Sequence, residues 1–156
     1  MKITDRLKAE HGVFLWQLDH LQDLVRREAP REVLKAVAET IAYAEERHSS
    51  MEDRVLYPAL CRAIGREFPL LQRSRAAHDE LRQLVAGICS GAFDESTVDA
   101  FAERLRDHLE REIHDVFALA EEVLSAEKLA AMANWDVDHI HEVNAKRHGR
   151  TERRLG

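Results

Sequence analysis

The sequence predicts an all-α protein: an up-down-up-down four-helix bundle with a short C-terminal helical extension and a basic tail. Three observations lead there. Alanine, leucine, glutamate and arginine dominate a chain of 156 residues that holds only six Gly and three Pro, as packed amphipathic helices require. Four long stretches repeat apolar residues at three- and four-residue spacing. The connections between them are short, which favours antiparallel neighbours.

The first helix is expected over about Ile3 to Arg27, with Ile3, Leu7, Phe14, Leu18, Leu21 and Val25 on one stripe. Pro30 suits the first turn of a second helix running from about Arg31 to near Ile64. Pro58 falls inside that span, so a kink or break is expected just beyond Glu52. Gly65 and Pro69 bracket the next turn, and a third helix runs from about Pro69 to Cys89, ending at Gly91. Ser96-Thr-Val-Asp99 resembles a capping box and opens the fourth helix, to about Leu124. A shorter helix is expected after Ser125. From Asn144 onward, Lys146, Arg147, Arg150, Arg153 and Arg154 read as a solvated tail. Residues 1–125 are thus expected to form the bundle, and 126–156 the extension and tail.

The composition narrows the functional classes. With 45% hydrophobic and 33% charged residues, the chain can bury a core as one domain. A net charge of −6 argues against general nucleic-acid binding. No apolar run reaches membrane length, and the charged amphipathic pattern starts at the N-terminus. Cys61 and Cys89 form neither a CxxC motif nor a disulfide framework and are expected as reduced packing residues. A cytoplasmic protein with neither nucleic-acid nor membrane partners is the expectation.

The most informative feature is a repeated arrangement, His48-Ser-Ser-Met-Glu52 and His108-Leu-Glu-Arg-Glu112. An i, i+4 pair lies about 40° apart on a helix surface, so each imidazole and carboxylate point the same way. His11 lies on the apolar stripe of the first helix between Leu7 and Leu18. His78 lines up with Leu71, Leu81 and Val85, and His108 with Phe101, Leu105 and Leu119. His20 is about 180° from His11 and His114 about 120° from His108, so neither faces the same centre. His139, His141 and His148 lack a paired carboxylate at this spacing.

Depth agrees with direction. His11 lies about 18 residues before the Ala29-Pro30 turn and His48 about 18 after it, level in an antiparallel pair. His78 and His108 stand about 12 residues either side of the third turn. His11, His48, Glu52, His78, His108 and Glu112 are therefore expected to meet at one level. Burying two carboxylates and four imidazoles without a compensating cation is costly, which points to a metal site. Met51, Trp16 and the phenylalanines are expected as core or boundary packing.

These residues resemble the hemerythrin-like, HHE cation-binding family over about residues 3 to 124. The order His11, His48/Glu52, His78, His108/Glu112 matches the family's, and Leu56-Tyr57-Pro58 looks like its aromatic-proline ending. The resemblance implies a non-haem di-iron centre, two Fe ions with an oxo or hydroxo bridge, Glu52 and Glu112 spanning the metals and the histidines completing both shells. Imidazole and carboxylate donors also admit Zn or Mn. One departure stands out: oxygen-carrying hemerythrins have a second histidine on the third helix, whereas the positions one turn either side of His78 are Ser74 and Arg82. The missing nitrogen leaves more open coordination for water, O2, NO or peroxide and puts simple reversible O2 carriage in doubt. Arg82→His is the change expected to restore a seventh ligand.

The functional expectation is a binding or sensing protein that takes O2, NO or a related small ligand, in sensing, binding or stress response. The alternative is a di-iron oxidoreductase consuming peroxide or NO, or an iron donor for iron-sulfur repair. A ferritin-like carboxylate oxidase needs ExxH on two helices, and only Glu45-x-x-His48 fits; Leu105 stands at the matching place before His108.

Overall fold

The computed structural model describes residues 1–135, and no strand occurs among the described residues. The helices are α1 (Ile3–Arg26), α2 (Arg31–Met51), α3 (Tyr57–Ile64), α4 (Pro69–Cys89), α5 (Glu95–Arg111), α6 (Ala118–Val123) and α7 (Ala126–Met132). Two wider π-helical segments, Glu52–Leu56 and Glu112–Phe117, join α2 to α3 and α5 to α6. The basic tail, His139, His141 and His148 lie outside the described residues.

The four long helices close a ring of contacts: α1 packs on α2 and α5, and α4 packs on the same two. The stripe Ile3, Leu7, Phe14, Leu18, Leu21 and Val25 of α1 is buried, as its spacing requires. The apolar core falls into two clusters. One gathers Phe14, Leu18, Leu21, Ile41, Leu81, Phe101 and Leu105; the other gathers Ile3, Leu7, Met51, Leu56, Tyr57, Leu71 and Phe117. His11 sits between Leu7 of one cluster and Phe14 of the other, and His48 between Ile41 and Met51. The polar residues thus form a layer between two apolar ones.

The break expected beyond Glu52 is a π-helical turn. Pro58 has no N–H to donate and its ring crowds the carbonyl four residues earlier, and a widened turn just before it relieves both. The matching segment at Glu112 contains no proline, so its position could not be read from one. What the two share is their place: each begins at the glutamate of an HxxxE pair.

Two local expectations need correction. The start of α5 is capped by Asp94, not Ser96: the Thr97 N–H donates to Asp94 Oδ1 at 2.9 Å, and the Ser96 and Thr97 hydroxyls bond the same carboxylate. A carboxylate accepts three donors here, which a hydroxyl at position 96 could not. Trp16 is not a packing residue of the core; it is 67% exposed and stacks on His20 across one turn of the outer face of α1. Elsewhere Gly65 ends α3 in the left-handed region (φ 83°), its N–H donating to Cys61 O, a conformation that favours glycine. The helix expected after Ser125 is α7; Ser125 caps it, and it lies against α1. Cys61 and Cys89 are free and half-buried at the edges of the two clusters.

Candidate metal centre

All six residues singled out in the sequence come together, and all six are buried. They form two overlapping groups: His11, His48, Glu52 and Glu112, and then Glu52, His78, His108 and Glu112. Within each group the donor atoms lie within 4.8 Å of one another. Glu52 and Glu112 belong to both. His20 and His114 are exposed on other helical faces.

The two carboxylates divide their oxygens between the halves. Glu52 Oε1 lies 3.5 Å from His48 Nε2 and Oε2 3.1 Å from His78 Nε2. Glu112 Oε2 lies 3.4 Å from His11 Nε2 and 3.9 Å from His48 Nε2. Its Oε1 lies 3.3 Å from His78 Nε2 and 3.0 Å from His108 Nε2. The His11 and His48 Nε2 atoms approach to 3.1 Å. All four imidazoles thus aim the same nitrogen at the centre.

Further side chains fix that orientation. Glu10 holds His48 Nδ1 at 2.8 Å and is itself held by Arg6 at 3.0 Å; Asp53 lies 3.2 Å from His78 Nδ1. A carboxylate on Nδ1 keeps the proton there and leaves the Nε2 lone pair for a cation. The Tyr57 and Ser74 hydroxyls lie 2.7 Å apart, each 3.1 Å from Glu112 Oε1. Burial, with the Glu52 and Glu112 carboxylates, raises the Tyr57 phenol well above its usual range, so it stays a donor.

Sequence reasoning gave no role at the centre to Glu10, Asp53, Tyr57 or Ser74. Glu10 adjoins His11 in sequence, yet neighbours on a helix diverge by about 100°, and only the packing of α1 on α2 turns Glu10 toward His48. Ser74 was identified as the place of an absent histidine, not as a hydroxyl on Glu112. The structure also decides between the two positions flanking His78. Ser74 faces the centre, whereas the Arg82 guanidinium reaches out to Glu46, Asp79 and Ser49, correcting the expectation attached to Arg82→His.

Without a cation the layer is electrostatically tight. Burial opposes charging His48, yet Glu52, Glu10 and Glu112 together raise its pKa well above the usual imidazole value. His78 is likewise opposed by burial, but Asp53, Glu112 and Glu52 push it up to about 12. Burial would raise Glu112, but the four imidazoles around it, His108, His11, His48 and His78, hold it well below the usual carboxylate range.

The donor set passes a direct test of fit to a cation. Both oxygens of Glu52, Oε2 of Glu112 and Nδ1 of His11 are buried without a hydrogen-bond partner. Leaving buried carboxylate oxygens unpartnered is expensive, and a positive ion between them removes the cost. Four imidazole nitrogens and two carboxylates are the hard-to-borderline donors that first-row divalent metals take.

The fold and the site define an all-helical protein with a buried His/Glu cluster suited to metal. The family model described as the Hemerythrin HHE cation binding domain matches residues 2–120, and the chain belongs to that family. Membership implies metal-cation binding. Comparison with curated proteins finds no match, and comparison with solved structures finds none.

Proposed function

We propose that this protein is a non-haem di-iron protein that binds O2, NO or a related small ligand, serving in sensing, binding or stress response. One observation carries the reading: Glu52 and Glu112 each direct one oxygen to either half of the cluster. His11 and His48 would hold one ion and His78 and His108 the other, with Glu52 and Glu112 available to both. Two bound irons supply open coordination and electrons for a small diatomic or peroxide. The chain's own residues do the rest. Glu10 and Asp53 keep His48 and His78 in the ligating tautomer, and Phe14 and Phe117, against the His48 and His11 rings, exclude water.

The reading takes the four long helices as an up-down-up-down bundle, supported by the short connections and by the meeting of His11 and His48 across the first of them. The free cysteines support a reducing, cytoplasmic setting. The test is metal analysis of anaerobically purified protein, with spectra before and after O2 and azide. About two Fe per chain, with near-ultraviolet charge-transfer absorption that azide shifts, is the expected result. Iron near zero after reconstitution, or Zn or Mn retained in preference to it, overturns the assignment. Sustained turnover with an electron donor would make it an oxidoreductase instead.

A further inference from the structure

Two cavities of about 290 Å³ lie on different sides of the bundle. The one between α1 and α2 is lined by Glu10, Phe14 and Ala44 and by none of the six cluster residues. On that side Phe14 meets the His48 ring edge-on at 5.2 Å, Phe117 lies 5.4 Å from the His11 ring, and Glu10 caps His48 Nδ1. The cavity beside α4 and α5 is different: its lining includes Ser74, His108 and Glu112. These three are buried and form its inner end, while Arg73 and Arg111 are exposed and form its mouth.

The charge of that mouth has a direction. Arg104 is neutralised by Glu80, whose Oε2 accepts from Nε at 2.8 Å. Arg73 has no ion pair among the described residues, and Arg111 meets Asp107 only at 3.8 Å on the surface, where such a pair is worth little. Across the outer lining Arg73, Arg104 and Arg111 stand against Glu80 and Asp115, one positive charge in excess, with Asp107 beside Arg111 at the edge. A positive mouth on a chain of net charge −6 is a local attractor for anions.

Building on the di-iron reading, we infer that the α4–α5 cavity is the access route and binding site for a small anion, which it delivers to the His78–His108 half of the centre. Ser74 makes room for it: a short side chain one turn before His78, with its hydroxyl 3.1 Å from Glu112 Oε1, leaves space where a larger residue would fill the inner end.

Azide is the probe, mixed with the iron-loaded full chain by stopped flow. Ala77→Leu, in the wall of this cavity, is expected to slow azide association about ten-fold, while Ala44→Leu, in the α1–α2 cavity, leaves it unchanged. Arg73→Glu with Arg111→Glu, both on exposed positions, should slow azide several-fold at low salt, the effect vanishing at high salt. Iron content and melting temperature, measured alongside, separate blocked access from lost metal or lost fold. A second readout needs no iron. In metal-free protein with Cys61 and Cys89 replaced by Ser, a Ser74→Cys thiol should react faster with an anionic than with a cationic methanethiosulfonate, and Ala77→Leu should protect it. Loss of iron binding alone would overturn the di-iron reading and leave this labelling result standing. The inference is overturned if Ala44→Leu rather than Ala77→Leu slows azide, if neither does at full iron content, or if the cationic reagent labels as fast as the anionic one.

Discussion

Removing either spanning carboxylate should do more harm than removing any one histidine, because Glu52 and Glu112 each serve both halves of the cluster. Glu52→Ala and Glu112→Ala are expected to drop iron from about two per chain to one or none, by metal analysis. His48→Ala or His108→Ala should lose one ion, whereas His20→Ala and His114→Ala keep both, since those rings are exposed on other faces. If His20→Ala abolished iron binding while His48→Ala retained it, the assignment of helical faces would be wrong. The position facing the centre beside His78 is Ser74, so Ser74→His should add a nitrogen donor, shift the charge-transfer spectrum and weaken azide binding. Arg82→His should add no donor to the centre and cost the contacts to Glu46, Asp79, Ser49 and Asp53. A spectral shift from Arg82→His and none from Ser74→His would mean that α4 is rotated the other way.

At the scale of elements, the two π-helical turns set which face of the chain is buried beyond each glutamate. In a regular helix each residue advances by about 100°, and one extra residue in a widened turn resets the face of everything after it. Leu56 at the end of the first turn, and Tyr57 and Leu60 after it, are buried; in the second, Val116 and Phe117 are. Inserting one alanine after exposed Arg54 adds a residue beyond the one the widened turn already absorbs and rotates α3 by about 100° away from the core. Each large apolar residue turned outward costs roughly 2–5 kcal/mol. The insertion should therefore lower the thermal midpoint by about ten degrees or more, read by circular dichroism, and abolish the Tyr57–Ser74 contact. Deleting Arg54, which removes the extra residue together with the widening, should keep Tyr57 and Leu60 buried. An insertion variant that melts with the parent would mean that the register beyond Glu52 is not held by packing. The first turn was foreshadowed by Pro58, but Glu112–Phe117 contains no proline and carries no such local signal.

For the whole molecule, the buried layer ties stability to pH, and metal changes the sign. In metal-free protein His78 has a folded pKa raised to about 12 from an ordinary value of 6.5. Its contribution is then complete below about 6.5 and declines as pH rises toward 12. Raised His48 acts in the same sense. Glu112, lowered from 4.5, contributes fully above that value and loses its contribution as pH falls through its folded pKa. Metal-free protein should therefore be most stable between about pH 4.5 and 6.5. Iron requires neutral imidazoles and ionised carboxylates, so binding releases protons and strengthens with rising pH. The gap in melting temperature between iron-loaded and metal-free protein should widen from about pH 5.5 to 8, measured by calorimetry. A constant gap would place the metal away from these histidines.

The sequence by itself determined the helices and the inward set of His11, His48, Glu52, His78, His108 and Glu112. Both come from the helical period and from counting residues to the nearest turn, and neither quantity depends on which neighbour a helix packs against. Even the level of His11 against His48 needed only a rise per residue. The tertiary structure alone decided everything that lies across a helix–helix interface at the precision of one side chain. Glu10 reaching His48, Asp53 reaching His78, Ser74 rather than Arg82 facing Glu112, and a cavity on the α4–α5 side all depend on the rotation and separation of neighbouring helices. Those are set by the sum of many apolar contacts in the two flanking clusters, so no local pattern encodes them. Trp16 shows the same limit from the other side. Its residue type argues for burial, and only the ring of neighbours around α1 leaves its face in solvent.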